Sequence, residues 1–556
     1  MKNILLIFFF IGWISASAQY SRHIIELTDK KGTIYNLNNP STFLSAAAID
    51  RKKTFNIPID SSDLPVTSKY IDSISSFSGV RIINTSKWLN LVVIETTNSI
   101  SLEKIKNLGF VKKEYPIANR LFKPENQTLS TKVVQENKLQ SKEINYENSI
   151  LYGKSSEQIS IHNGAFLHDK GFQGNGVKIA VFDAGFYNYL KYPAFDSIRS
   201  SGRIKYTWDL VNNEASVNED DAHGMSCLSI MGANQPGIFV GSSPKADYYL
   251  FRTEDPRSEF PIEEFNWLIA AEKADSIGVQ IISSSLGYTT FDDPYFNHQY
   301  NDLNGKGTIV SRAASIAVAK GIIVANSAGN EGDDPWKYIS APADGINVLA
   351  VGAINTSNQI APFSGFGPSA DGRIKPDVVS VGLNTQLIST NGNVGIGNGT
   401  SFSNPNLAGL IACLWQAFPE FSNLEILQAV KQSSSQYLTP DNRKGYGIPN
   451  MVVAYLDLIN QRDVRNAKKI LTEKNIKLFP NPFINAIKVA YKAKENGLFN
   501  WILLNAIGQK IQSGSLLVKK EEYYVFNINE LEILPKGKYY FTYDNSSDKG
   551  FVQVIK

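Results

Sequence analysis

Val177-Lys178-Ile179-Ala180-Val181-Phe182-Asp183-Ala184-Gly185 is an apolar run that ends on a carboxylate and a small, turn-permitting pair. Such a run reads as a buried strand whose last residue stands at the strand's C-terminal end. Three similar runs follow: Val279-Gln280-Ile281-Ile282, Gly321-Ile322-Ile323-Val324 and Val348-Leu349-Ala350-Val351. Each is bounded by Gly, Asp, Ser or Asn. Helical periodicity fills the gaps, over Ile262 to Ile277 and Arg312 to Ala319. Buried strands alternating with helices imply an α/β domain built on a doubly wound, mainly parallel sheet.

Working outward, this domain spans about 147–460. Before it, 19–122 mixes short strands (His23 to Leu27, Leu91 to Ile94) with helices at Pro65 to Phe77 and Ser101 to Leu108, the pattern of a small α+β domain. The polar stretch 123–146 reads as an exposed linker. A basic, mixed-charge connector at 461–475 leads into a strand-rich C-terminal region, 476–556, expected as a β-sandwich. At the N-terminus, Lys2, the apolar run Ile4 to Ile14 and Ala16-Ser17-Ala18 form a signal peptide, 1–18, with cleavage expected before Gln19. About eleven apolar residues are too few to span a bilayer. The sequence thus points to a protein exported through the periplasm, secreted or held at the cell surface, with no membrane span.

Composition narrows the function. The net charge of +3 and 19% charged residues give no concentrated basic face, so nucleic acid is not an expected partner. The two cysteines, Cys227 and Cys413, cannot build a disulfide framework or a four-thiolate zinc site, and read as buried free thiols.

Four segments carry candidate chemistry. Asp183 ends its strand where open α/β sheets collect functional groups, although a lone strand-end Asp is more often a turn or cap residue. His223 is followed by Gly224 and a helical pattern; of the five histidines it alone opens a helix inside the α/β region. Taken alone it is more often structural. Ser401, in Gly399-Thr400-Ser401-Phe402-Ser403-Asn404-Pro405, stands at the start of an apolar helix, where free N–H groups and the dipole suit an oxyanion. An N-cap serine fits the same motif. Asn330, in Ser327-Ala328-Gly329-Asn330-Glu331-Gly332, is a turn residue by type, yet its amide can donate to a developing oxyanion.

Together these segments resemble the motifs of the subtilisin-like serine proteases: strand–Asp–small–Gly at Val181 to Gly185, His223-Gly224, Ala328-Gly329-Asn330, and Gly-Thr-Ser-x-Ser-x-Pro at Gly399 to Pro405. The order Asp, His, Ser and the separations (223 − 183 = 40, 401 − 223 = 178) agree with that family. Met225-Ser226 stand where many members have Thr-His, at positions outside the catalytic set. The resemblance implies a serine-type endopeptidase with Asp183, His223 and Ser401 as the triad and Asn330 in the oxyanion hole. It implies that Ser285-Leu286-Gly287, with Ala328 and Gly329, binds polypeptide substrates, and that no cofactor is required. Structural calcium is common in the family, but no ligand loop is assignable here, and no metal site is expected.

The 19–122 region resembles a subtilase propeptide, an intramolecular inhibitor. The C-terminal region resembles a type IX secretion sorting domain at Leu478 to Phe483, Leu504 to Lys510 and Leu534 to Tyr540, which implies the type IX secretion machinery as a partner. Competing readings are an esterase or peptide ligase on the same triad, a catalytically inactive peptide-binding surface protein on the same fold, and an adhesin.

Overall fold

The computed structural model describes residues 20–118, 151–546 and 548–556. The signal-peptide and linker readings, 1–18 and 123–146, lie outside the described residues. The chain divides into two compact units, 1–452 and 453–556.

The first unit begins with β1 (Arg22–Leu27), α1 (Ala46–Thr54), α2 (Ser68–Ser75), β2 (Arg81–Ser86), β3 (Leu91–Glu95), α3 (Ser99–Lys106) and β4 (Val111–Ala118). The four strands form an antiparallel sheet in the order β2-β3-β1-β4. Ile25, Val92 and Ile94 on one face pack with Ile74 of α2 and Ile105 of α3. Ile24, Leu91 and Val93 point the other way, into the core of the following domain. Period-two alternation thus gives the sheet two apolar faces, one for its own helices and one for its neighbour.

The α/β part follows: α4 (Ser156–Ser160), α5 (Ala165–Asp169), β5 (Lys178–Asp183), α6 (Asp196–Ser200), β6 (Ile204–Asp209), α7 (His223–Gly232), the hairpin β7 (Asn234–Gln235) and β8 (Phe239–Val240), and β9 (Asp247–Arg252). Then come α8 (Ile262–Ile277), β10 (Ile281–Ser284), α9 (Ile309–Ala319), β11 (Ile323–Ser327), β12 (Leu349–Ile354), β13 (Val378–Val381), the hairpin β14 (Thr385–Ile388) and β15 (Val394–Gly397), α10 (Thr400–Ala417) and α11 (Asn423–Gln432). Seven strands make one parallel sheet, ordered β13-β12-β11-β10-β5-β9-β6. Ala180, Phe182, Ile282, Val324 and Ala350 face α8 and α9, and α10 runs along β10 to β13. The winding reverses between β5 and β10, which opens a crevice at the C-terminal ends of those two strands.

The expected helix at 262–277 is found over those residues. The one expected from Arg312 starts earlier, at Ile309, because Thr308 Oγ1 accepts the Ser311 N–H at 3.0 Å and caps it.

The second unit holds α12 (Met451–Ile470), which starts at the unit boundary, and the strands β16 (Ile476–Phe479), β17 (Ile487–Lys492), β18 (Gly497–Asn505), β19 (Lys510–Val518), β20 (Tyr523–Ile528), β21 (Lys538–Asn545) and β22 (Asp548–Ile555). Two antiparallel sheets, β16-β17-β20 and β19-β18-β21-β22, enclose a core of Leu478, Val489, Tyr491, Phe499, Leu503, Phe541 and Val554. The stretch expected as a connector is helical as far as Ile470. Ala467 and Leu471 pack on Ala490, and Lys488 pairs with Asp463 at 2.7 Å, so tertiary contacts hold a polar sequence in a helix. No helix among the described residues is long and apolar enough to cross a membrane.

Candidate active site

The crevice between β5 and β10 collects three of the four candidate segments, and β11 supplies the fourth. Asp183, fully buried, ends β5, and its Oδ1 receives His223 Nδ1 at 2.7 Å. His223 is the first residue of α7. The preceding loop holds it there: Asp221 Oδ1 accepts the His223 N–H at 2.6 Å. Burial alone would lower the imidazole's pKa, but the Asp183 carboxylate outweighs it and holds the pKa well above the usual 6.5. Gly224 makes this approach possible. A Cβ there would lie 2.5 Å from the Gly185 carbonyl oxygen and 2.7 Å from Asp183 Cβ.

Ser401 is the second residue of α10, and Phe402 places its ring 5.5 Å from the imidazole. Ser401 Oγ donates to the Ser285 carbonyl at 3.3 Å. Pro405 lies four residues further along and has no N–H, so the Ser401 carbonyl lacks its helical donor. Ser285 Oγ at 2.8 Å and Cys227 Sγ at 3.3 Å take that acceptor instead. The proline therefore frees a carbonyl that ties the helix start to the end of β10 and to α7.

Asn330 follows β11. Its amide oxygen accepts from the Thr400 N–H at 2.8 Å and from Thr400 Oγ1 at 2.9 Å. With the oxygen held, the amide NH2 is the end left to donate. A Cβ at Gly399 would sit 3.7 Å from the Ser401 nitrogen and 3.8 Å from Asn330 Nδ2, in the space those two donors share. Ser285, Leu286 and Gly287 continue from β10; Asn326 Nδ2 donates to the Leu286 carbonyl at 2.9 Å. Ala328 lies on the neighbouring strand exit, where its carbonyl accepts the Ser340 N–H at 3.0 Å. Gly329 is tied to Thr400 by N–H to Oγ1 at 3.2 Å.

Three participants were missed in the sequence. Cys227 lies four residues after His223 on one helix face, with Sγ 3.9 Å from Nδ1; that spacing was the available signal. Thr400 acts through Asn330. Arg252 stands opposite Asp183 in the β5–β9 register and is 2% exposed. Its Nε donates to the Ala184 carbonyl (3.1 Å), and its Nη1 meets Asp209 (2.7 Å) and Asp220 (3.1 Å). One guanidinium thus clamps the turn after Asp183 to the loop that leads into His223.

Among the described residues, two groups bring possible metal ligands within 4.8 Å: Asp183, His223 and Cys227, and Glu254, Glu259 and Glu263. In the second, burial first and then the neighbouring carboxylates push Glu259 up to about 9. Burial raises Glu254 to about 7. The three carboxylates therefore titrate as one coupled group with raised pKa values. Both cysteines are buried and free.

Residues 174–447 match the subtilase family, peptidase S8, and residues 22–137 match the Peptidase S8 propeptide domain of Bacteroidota. Subtilisin NAT from Bacillus subtilis subsp. natto and subtilisin E from Bacillus subtilis (strain 168) are each 29% identical over 313 residues, covering 56% of this chain and 72% of theirs. Subtilisin from Bacillus pumilus is 28% identical over 292 residues, 52% of this chain and 94% of that one. Among solved structures, MycP1 from the ESX-1 type VII secretion system aligns at 22% identity and a TM-score of 0.43, over 56% of this chain and 88% of that one. A parallel seven-stranded sheet, the four motifs at its crevice and the two family matches agree: the chain belongs to the subtilase family of S8 peptidases, with a peptidase S8 propeptide domain ahead of the peptidase.

Proposed function

We propose that this peptidase is a secreted serine endopeptidase acting through Asp183, His223 and Ser401. The observation that carries the reading is the 2.7 Å Asp183–His223 pair at the mouth of the crevice, with Ser401 on the helix start beside it. A serine hydroxyl needs an adjacent base to attack at neutral pH. Rotation of the Ser401 side chain away from its long bond to Ser285 turns Oγ toward the imidazole. His223 Nε2 takes the hydroxyl proton as Oγ attacks the scissile carbonyl, and later delivers it to the leaving amine. Asp183 accepts Nδ1–H, fixes the tautomer and stabilises the imidazolium.

The tetrahedral oxyanion is received by the Ser401 N–H and Asn330 Nδ2, at the positive end of α10. Water then hydrolyses the acyl-enzyme with His223 again as base. An extended polypeptide pairs along Ser285 to Gly287 by strand addition, and Ala328 and Gly329 line the pocket for the residue before the scissile bond. The chemistry requires no cofactor. The propeptide domain holds the enzyme inactive until it is removed. The leader 1–18 directs export to the periplasm, and 476–556 serves as the address for type IX secretion.

Wild type and Ser401→Ala should be compared for propeptide removal, casein hydrolysis and fluorophosphonate labelling. All three should vanish in the variant; equal processing and hydrolysis in both would overturn the proposal.

A further inference from the structure

The propeptide domain holds the peptidase at a place remote from the catalytic crevice. Between β1 and α2 the chain makes an excursion, 28–67, that adds no strand to the sheet and carries α1. This excursion reaches the opposite end of the peptidase sheet. Val279 and Lys320 precede β10 and β11, whereas Asp183 is the last residue of β5 and Ser285 follows the C-terminal end of β10. Strands of four to six residues put roughly 15–20 Å between the two ends.

Contact there is close and ionic. Arg51 donates through Nε to the Lys320 carbonyl (3.1 Å) and through Nη1 to the Val279 carbonyl (2.7 Å). Its Nη2 meets the Asp275 carboxylate and lies 3.4 Å from the Asp275 carbonyl. These carbonyls belong to the last turn of α8 and to the residues just past α8 and α9, so one guanidinium caps two helix C-termini. Lys320 Nζ reaches Asp63 at 2.9 Å, and Lys52 lies 3.3 Å from Asp63 and 3.9 Å from Asp275. All five side chains are nearly inaccessible, from 0 to 7% exposed. There is no slack: a Cβ at Gly278 would lie 2.6 Å from Ala47 Cβ, and one at Gly321 2.5 Å from Ile57 Cδ1. A second foot stands further along α8, where the Glu272 carboxylate accepts from Ser86 Oγ (2.5 Å) and from the N–H groups of Lys87 and Trp88 (both 2.9 Å).

We infer that segment 45–63 is a second anchor of the propeptide domain, and that the lifetime of the complex once the connection is cut is set here, at the end of the sheet far from the cleft. The charges also make the grip selective. Without Arg51, the Asp275 carboxylate and three carbonyls face a buried surface with their donor gone. Truncating one member of a buried charge pair at an interface acts on dissociation and accelerates it about 30-fold or more. The inference rests on the propeptide match and the contacts, not on the triad.

The test uses the full chain carrying Ser401→Ala, so that no self-cleavage occurs, with a recognition site for an added specific protease placed within 123–146. After cutting, the two pieces should co-elute on size exclusion. Dissociation, followed by labelled-fragment exchange, should be at least about 30-fold faster with Arg51→Met and intermediate with Arg51→Lys. Adding Asp275→Leu to Arg51→Met should slow it again, because the stranded carboxylate is gone. Asp63→Asn supplies a second perturbation if Arg51→Met does not fold. Unchanged dissociation in Arg51→Met or Asp63→Asn, or independent effects of Arg51→Met and Asp275→Leu, would overturn the inference.

Discussion

Arg252→Met should damage stability and catalysis by separable routes. The guanidinium is 2% exposed, and its partner Asp209 is fully buried. Asp209 Oδ1 keeps the Val211 and Asn212 N–H groups at 2.7 and 3.0 Å, but Oδ2 loses the Arg252 donor at 2.7 Å. A buried carboxylate left without its counter-charge costs about 3–5 kcal/mol, a large share of the ~5–15 kcal/mol that holds a typical domain folded. Urea unfolding in the Ser401→Ala background, which prevents autolysis, would read this loss. Adding Asp209→Asn removes the stranded charge and should restore about half of it. In the active enzyme the lost clamp between Ala184 and Asp220 lets Asp183 and His223 drift. A displacement near 1 Å costs about 10²-fold in kcat, with KM little changed. The reasoning fails if Arg252→Met loses less than ~1 kcal/mol, or if Asp209→Asn brings no recovery.

Three further outcomes are expected. Asn330→Ala should lower kcat by about 10²–10³, the size documented for the oxyanion asparagine of a subtilisin itself and so carried over from a relative; steady-state kinetics with unchanged rate would remove Asn330 from the site. Asp183→Asn should drop kcat about 10⁴-fold and move the acid limb of residual kcat/KM to lower pH, because the carboxylate that holds the His223 pKa above 6.5 is gone; an unmoved limb would assign it to another group. His162, fully buried between the Pro449 carbonyl (2.9 Å) and Ser380 Oγ (2.8 Å), is pushed down by burial to about 4. Its folded pKa lies below the unfolded 6.5, so its contribution is intact above pH 6.5 and is lost as pH falls toward 4, about 3 kcal/mol in all. His162→Gln should flatten that part of the stability–pH curve in acid unfolding.

The fold was legible where the apolar period was long and uninterrupted. The strand cores and the helix at 262–277 needed only local pattern. Boundaries slipped where a single side chain decided them, as Thr308 does for α9. The helical stretch up to Ile470 was hidden because its polar sequence is held by Ala490 and Lys488, partners that no local window contains. In the crevice, the motif residues were legible by type and order, whereas Arg252 was not. It lies 69 residues from Asp183 (252 − 183 = 69), and only the strand register sets it opposite. The Ser401–Pro405 spacing was visible as a motif. That the proline exists to leave a carbonyl free for Ser285 and Cys227 emerges only when β10 and α7 are beside it.

The 2.5 Å left beside Gly185 at position 224 has a consequence for anyone scanning this chain by mutation. Gly224 bears no group that reacts, binds or titrates, yet even a methyl there would wedge the imidazole off the carboxylate. A saturation library would rank it beside Ser401 for intolerance, and a purely statistical reader would award it a chemical role. What the position supplies is vacancy: Asp183 and His223 are kept in register by matter that must be absent.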